Sequence, residues 1–193
     1  LLPDGKPVTA GEILDNPAYA TSLRALSKHG IKAFYTGAIA KGIVDTVQNA
    51  PGNPGVLSMG DLRHYRVKER AAICAPYRSY EVCGMGPPSS GALSVGQILG
   101  LLNPFDLAAL GANSPESWRL IGDASRLAFA DRGQYMADSD FVPMPTKGLI
   151  DPAYLASRSA LLRRDTALPE VAPGNPPFDH ALNWSPDDSL ELP

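Results

Sequence analysis

With 193 residues, 44% of them hydrophobic and 19% charged, the chain has a globular rather than a disordered composition, and it is long enough to bury roughly 70% of its unfolded surface. The net charge of −3, with no basic group stronger than Arg158, Arg163 and Arg164, argues against nucleic-acid binding, and no apolar run has the length to span a bilayer. The opening residues, Leu1-Leu2-Pro3-Asp4-Gly5-Lys6-Pro7, include no Met and no signal-peptide pattern, so a fragment or processed piece is expected, with any targeting segment upstream.

Asp4-Gly5-Lys6-Pro7 reads as a turn. Asn16-Pro17 starts a helix, with Asn16 as cap and Pro17 at the first helical position, and Gly30 stops it after His29. A second helix is predicted over Ala38 to Gln48, where Ile39, Ile43, Val44 and Val47 recur at helical spacing and face a core. Pro51 to Gly55 is a loop, and Ser58 caps a short turn holding Asp61 and Leu62.

Two strands, Val67 to Cys74 and Tyr80 to Met85, are predicted around Pro76-Tyr77-Arg78-Ser79. A turn centred on Arg78-Ser79 sets Cys74 opposite Cys83. That leaves open a disulfide or, the preferred reading, two small buried apolar residues. The spacing of the two cysteines is too wide for C-x-x-C, which argues against a zinc or redox site.

Gly84-Met85-Gly86-Pro87-Pro88-Ser89-Ser90-Gly91 joins the second strand to an apolar helix over Gly91 to Leu102, where Leu93, Ile98, Leu99 and Leu102 predict burial. The serines do not fit the G-x-S-x-G register of a nucleophile elbow, so Ser89 or Ser90 is read as a helix cap. The clearest helix starts at Ser114-Pro115-Glu116, with Ser114 as cap, and runs to about Tyr135. Leu120, Ala124, Leu127 and Asp131 share one stripe of it, an unusual place for a carboxylate, and Arg119 and Asp123 are spaced for a weak ion pair.

Asp131, Arg132, Asp138 and Asp140 have neither the glycine turn nor the oxygen spacing of a calcium loop, and a structural network of Asp131, Arg132 and nearby backbone is expected. His29, His64 and His180 stand outside metal-ligand spacing of one another and of the cysteines. Asp151-Pro152 starts a last helix ending near Arg164. From Asp165 on, six prolines and no apolar period predict an extended, poorly packed tail. From the residues alone this is an α+β piece without a complete catalytic constellation.

Four stretches together resemble the large subunit of the gamma-glutamyltranspeptidase family. They are Ala33-Phe34-Tyr35-Thr36-Gly37 with the helix after it; Asp61-Leu62, Tyr65 and Val67 to Arg70 leading to Tyr77 to Val82; Pro87-Pro88-Ser89-Ser90-Gly91; and Arg126 to Arg132 with Tyr135 and Asp138 to Val142. Gly86 and Ala92 stand where the family usually has a third proline and a second glycine, a departure that removes no reacting group.

The resemblance implies the C-terminal half of a large subunit: a helix-rich part of an N-terminal-nucleophile hydrolase αββα sandwich, completed by a partner small subunit. Residues 1–164 would form the partial domain and 165–193 the tail, with Pro193 at the autocleavage boundary. The nucleophile would be the N-terminal threonine of the small subunit, its own amine serving as base. The family's substrate-carboxylate arginine lies upstream of the matched stretch, so no catalytic residue transfers to this chain, and no cofactor or metal is implied. The implied activity is cleavage of gamma-glutamyl amides such as glutathione, in a periplasmic or extracellular setting. A cephalosporin (glutaryl-amide) acylase of the same family, or a non-catalytic module retaining the fold, are the alternatives.

Overall fold

The computed structural model describes residues 5–178, which fall into two compact units that divide between Lys68 and Glu69. His180 and the expected boundary at Pro193 lie outside the described residues.

The first unit is helical and is built by local signals. Helix α1 (Pro17–His29) starts where Asn16 Oδ1 accepts the Tyr19 N–H at 2.9 Å, and it stops at Gly30, whose φ of 66° suits a residue without Cβ. A single turn, α2 (Lys32–Tyr35), was not expected from sequence; α3 (Ala38–Gln48) was, with the same bounds. Of the predicted inward residues of α3, Val44 is buried and Ile39, Ile43 and Val47 are half-buried, while Ala40 is buried beside them. Helix α4 (Met59–His64) opens on a full capping box: Ser58 Oγ accepts the Asp61 N–H, and the Asp61 carboxylate accepts the Ser58 N–H at 2.8 Å. The Ser58 hydroxyl also donates to the Asp61 carboxylate at 2.7 Å, and that bond, with the one from the Ser58 N–H, holds the Asp61 carboxyl below its ordinary pKa. Tyr35 stacks on Tyr65 with ring centroids 5.6 Å apart.

The second unit starts with an antiparallel hairpin, β1 (Ile73–Tyr77) and β2 (Tyr80–Gly84). The first strand begins later than its predicted start at Val67. Residues 67–72 are exposed and include Lys68, Glu69 and Arg70, and the two-stranded sheet offers them no partner strand. The two-residue turn sits on Arg78-Ser79 as expected, with Arg78 at φ 57°. Its guanidinium donates to the Phe105 carbonyl and lies over the Tyr77 ring. The register pairs Cys74 with Cys83, and the two form a disulfide, so the preferred reading of two small buried thiols is wrong. Cys83 is in fact exposed and Cys74 half-buried, because both side chains lie on the strand face away from Ala75 and the core.

A cis Pro87-Pro88 peptide leads into α5 (Gly91–Leu102). The capping role given to its serines is corrected as well. Ser90 sits in a helical conformation and makes no side-chain cap, its hydroxyl accepting instead from Arg132 Nε at 2.9 Å, while Ser89 Oγ reaches only the Gly91 N–H at 3.4 Å. Helix α5 is the centre of the unit: it packs against the hairpin, α7 (Pro115–Tyr135) and α8 (Pro152–Ser159). Gly96 and Gly100 admit these neighbours. A Cβ on Gly96 would come within 2.9 Å of Ala75 Cβ, and one on Gly100 within 2.5 Å of Leu155 Cδ1.

A short α6 (Leu107–Leu110), missed by the sequence reading, precedes α7. Ser114 does not cap α7 with its side chain; Pro115 at the first position, which needs no N–H partner, and Glu116 in the first turn are its start signals. Helix α8 is shorter than predicted, continuing as a 3-10 turn over Ala160–Leu162. Leu101, Leu102, Leu120, Ala124, Leu127, Tyr154, Leu155, Leu162 and Leu168 form the core.

Candidate functional site

The only strongly desolvated polar cluster among the described residues lies on α7 and beneath the segment that follows α8. Asp131 is 1% exposed, at the end of the stripe Leu120, Ala124, Leu127. A carboxylate held there must be satisfied by donors, and this one has four. Its Oδ2 accepts from Tyr154 Oη at 2.6 Å and Gln97 Nε2 at 2.8 Å; its Oδ1 accepts from the Gly174 N–H at 2.7 Å and Arg158 Nη2 at 3.2 Å. The donors come from α5, α8 and the following segment, so one carboxylate joins three elements to α7. Burial and the Asp131 carboxylate raise the Tyr154 pKa well above its usual value, and burial does the same, less strongly, for Tyr135. Both phenols stay neutral donors, Tyr135 Oη giving its hydrogen bond to the Gly174 carbonyl at 2.7 Å.

The expected Asp131–Arg132 network is thus half realised. Asp131 anchors a network, but Arg132 points the other way, to Ser90 and over the Phe129 ring. The carboxylate that sequence reasoning undervalued is Asp123, read there only as half of a weak pair with Arg119. It is 2% exposed and accepts from Arg119 Nη1 at 3.3 Å, Arg126 Nη1 at 3.1 Å and the Leu168 N–H at 3.0 Å. The signal was present: Asp123 lies three residues after Leu120 and four before Leu127, both buried leucines, hence on the inward face.

Two buried carboxylates, eight residues and about 12 Å apart along α7, therefore accept backbone N–H groups from two points of the downstream segment. Arginines bind the same strand from its other polar side, Arg126 donating to the Leu168 and Pro169 carbonyls and Arg158 to Ala172 O at 2.8 Å. Leu168 adds its side chain to the core, and Pro176 is buried. Residues 165–178 are mostly exposed, but they are tied to the domain at Leu168, Pro169, Ala172 and Gly174 by these hydrogen bonds, which the expectation of a poorly packed tail did not include. The reason is that their partners are side chains about 40 residues earlier, which a local reading of proline content cannot see.

The remaining candidates resolve simply. Asp140 takes a bidentate pair from Arg70, at 2.7 and 3.2 Å, and its N–H donates to Asp138 Oδ1, so these acids tie the loop after α7 to the entry of the hairpin. His29 and His64 are exposed. Cys74, Glu81 and Cys83 are the one group of three described residues close enough to share a metal, and their sulfurs are bonded to each other.

None of these groups forms a nucleophile–base pair. The architecture has relatives, however. The family model for gamma-glutamyltranspeptidase matches residues 1–188. The chain belongs to the gamma-glutamyltranspeptidase family. It is 35% identical to the glutathione hydrolase proenzyme of Escherichia coli (strain K12), over 89% of this chain and 29% of that protein. It is 37% identical to the acylase ACY 1 proenzyme of Pseudomonas sp. (strain V22), over 86% of this chain and again 29% of the relative. Among solved structures, the gamma-glutamyltranspeptidase of Helicobacter pylori superposes with a TM-score of 0.73 at 33% identity, over 88% of this chain and 48% of that one. The chain thus spans somewhat under a third of the length of these curated relatives. Its α+β arrangement is part of the N-terminal-nucleophile hydrolase fold that the family shares, as the resemblance implied.

Proposed function

We propose that this chain is the C-terminal part of the large subunit of a gamma-glutamyltransferase or glutathione hydrolase, and that it supports a catalytic centre carried by a partner small subunit. The observation that carries the reading is the match to this family over residues 1–188, together with 89% of the chain matching a glutathione hydrolase proenzyme in sequence and 88% matching a gamma-glutamyltranspeptidase in structure. The absence of a nucleophile–base pair among the described residues fits a scaffold role. In the complete enzyme the hydroxyl of the small subunit's N-terminal threonine attacks the gamma-glutamyl carbonyl. The amine leaves with a proton, and an acyl-enzyme ester remains. Water or an acceptor amine then releases the glutamyl group, while hydrogen-bond donors stabilise the oxyanion formed in each step. The threonine is freed by cleavage of a single precursor.

The hairpin disulfide supports a periplasmic or extracellular setting, since such bonds persist in oxidising compartments. The acylase reading is favoured by one specific observation, the 37% identity to an acylase proenzyme. The two are separated by assaying the complete protein on a gamma-glutamyl anilide, on glutathione and on a glutaryl amide of the same amine. Faster turnover of the gamma-glutamyl substrates supports the proposal. Turnover of the glutaryl amide alone assigns the acylase, and no turnover of any of them leaves the non-catalytic module.

A further inference from the structure

The geometry points to a positioning role for α7: we infer that Asp123, Asp131 and Arg126 form a cleat that fixes the outgoing chain at residues 168–174, and thereby sets the rate of precursor cleavage. The inference rests on the self-processing proposed above. Cleavage itself is net hydrolysis of one amide, water entering and a carboxylate and an amine leaving. What the cleat supplies is placement.

Three features separate a cleat from ordinary packing. The first is that the contacts are to backbone: Asp123 and Asp131 accept the N–H groups of Leu168 and Gly174, while Arg126, Arg158 and Tyr135 donate to the carbonyls of Leu168, Pro169, Ala172 and Gly174. Such contacts fix the path of a strand and are indifferent to most of its side chains. The second is that the acceptors are almost fully desolvated, so a released strand would leave the carboxylates short of donors. The third is that the strand lies too close for any side chain at its anchor point. A Cβ on Gly174 would meet Tyr154 Oη at 2.2 Å, and one on Gly148 would meet the Pro177 carbonyl at 1.9 Å. A strand held at several points over residues 168–177 leaves the domain from one place in one direction. An anchor at residues 168–177 shortens the loop that must close to reach the cleavage geometry, compared with an anchor at Arg164, and so lowers its entropic cost.

The test uses the full-length precursor and follows the conversion of precursor to subunits with time. Gly174→Ala sets a Cβ against Tyr154 Oη, so the segment must shift away, while Asp131 keeps Gln97 and Arg158 as donors. Arg126→Ala removes two carbonyl contacts and one pair to Asp123 through a side chain that is 42% exposed, and Asp123 keeps its donors from Arg119 and the Leu168 N–H. Both variants are expected to slow cleavage at least fivefold and to speed amide exchange across 168–174, with the melting temperature and the α7 amides close to wild type. Arg126→Lys, which keeps the charge but cannot span two carbonyls, should restore only part of the rate. Cleavage at the wild-type rate in either folded variant, with the strand shown to be loosened, overturns the inference and leaves the self-processing reading intact. A wild-type precursor that never cleaves overturns both. Slow cleavage accompanied by an equal loss of α7 protection reduces the cleat to a fold element and also overturns the inference.

Discussion

The two units of this chain are alike in their local end signals and differ in what they bury. Residues 5–68 form helices that are started and stopped by their own neighbours, Asn16, Ser58 and Gly30, yet only Ala40 and Val44 are buried there, and Ile13, Ile31, Val56 and Val67 stand 75–94% exposed. Residues 69–178 are capped to the same extent, by side chains on α6 and α8 but not on α5 or α7, and they add a continuous leucine core and two buried carboxylates that bind across 23 to 45 residues of sequence. Caps of the kind seen in the first unit contribute about 1 kcal/mol each, whereas large buried side chains contribute several. Local end signals are thus much alike in the two units, and what separates them is how much each buries.

Substitutions should sharpen this contrast. The largest effect is expected for Asp131→Ala, which strands Arg158 and the donors of Gln97 and Tyr154 in the core. A loss of about 3–5 kcal/mol is predicted, read by urea denaturation, with the first unit unaffected. Removing the disulfide by a Cys74→Ser, Cys83→Ser double substitution should cost about 2–3 kcal/mol from the short loop it closes, and a thermal scan would show it. Asn16→Ala should cost about 1 kcal/mol, seen as faster amide exchange in α1 alone.

Two pH effects are smaller and opposite in sign. Tyr154 has a raised pKa when folded, so its contribution is complete below the unfolded value near 10 and is lost as the pH rises beyond it. Stability should fall on that alkaline limb, and Tyr154→Phe should flatten it. Asp61 has a lowered pKa, so the contribution of its capping box is present above the ordinary carboxylate range and is lost as acid protonates it. Fraying of α4 at low pH, followed by circular dichroism or amide exchange, checks this.

How much of this was legible in the sequence follows the same division. The helices α1, α3, α5 and α7 could be read because Asn16-Pro17, Gly30, Ser114-Pro115 and the apolar spacings lie within a few residues of what they specify. The hairpin turn was legible for the same reason. What was missed is non-local. The start of β1 depends on whether residues 67–72 have a partner strand, the disulfide on a register and redox setting no spacing fixes, and the packing of residues 165–178 on Asp123 and Asp131 more than 40 residues away. Asp131 was noticed because a carboxylate on an apolar stripe breaks a rule. Asp123 was not, because a weak pair with Arg119 four residues earlier already accounted for it. The family resemblance was legible because it rested on several motifs in order.

The central claim is that this chain works as part of a self-processed gamma-glutamyl enzyme. Its most direct test is intact mass and N-terminal sequencing of the purified full-length protein. The account predicts two chains, the second beginning with threonine, which release amine from a gamma-glutamyl anilide. A single uncut chain without that activity would contradict it.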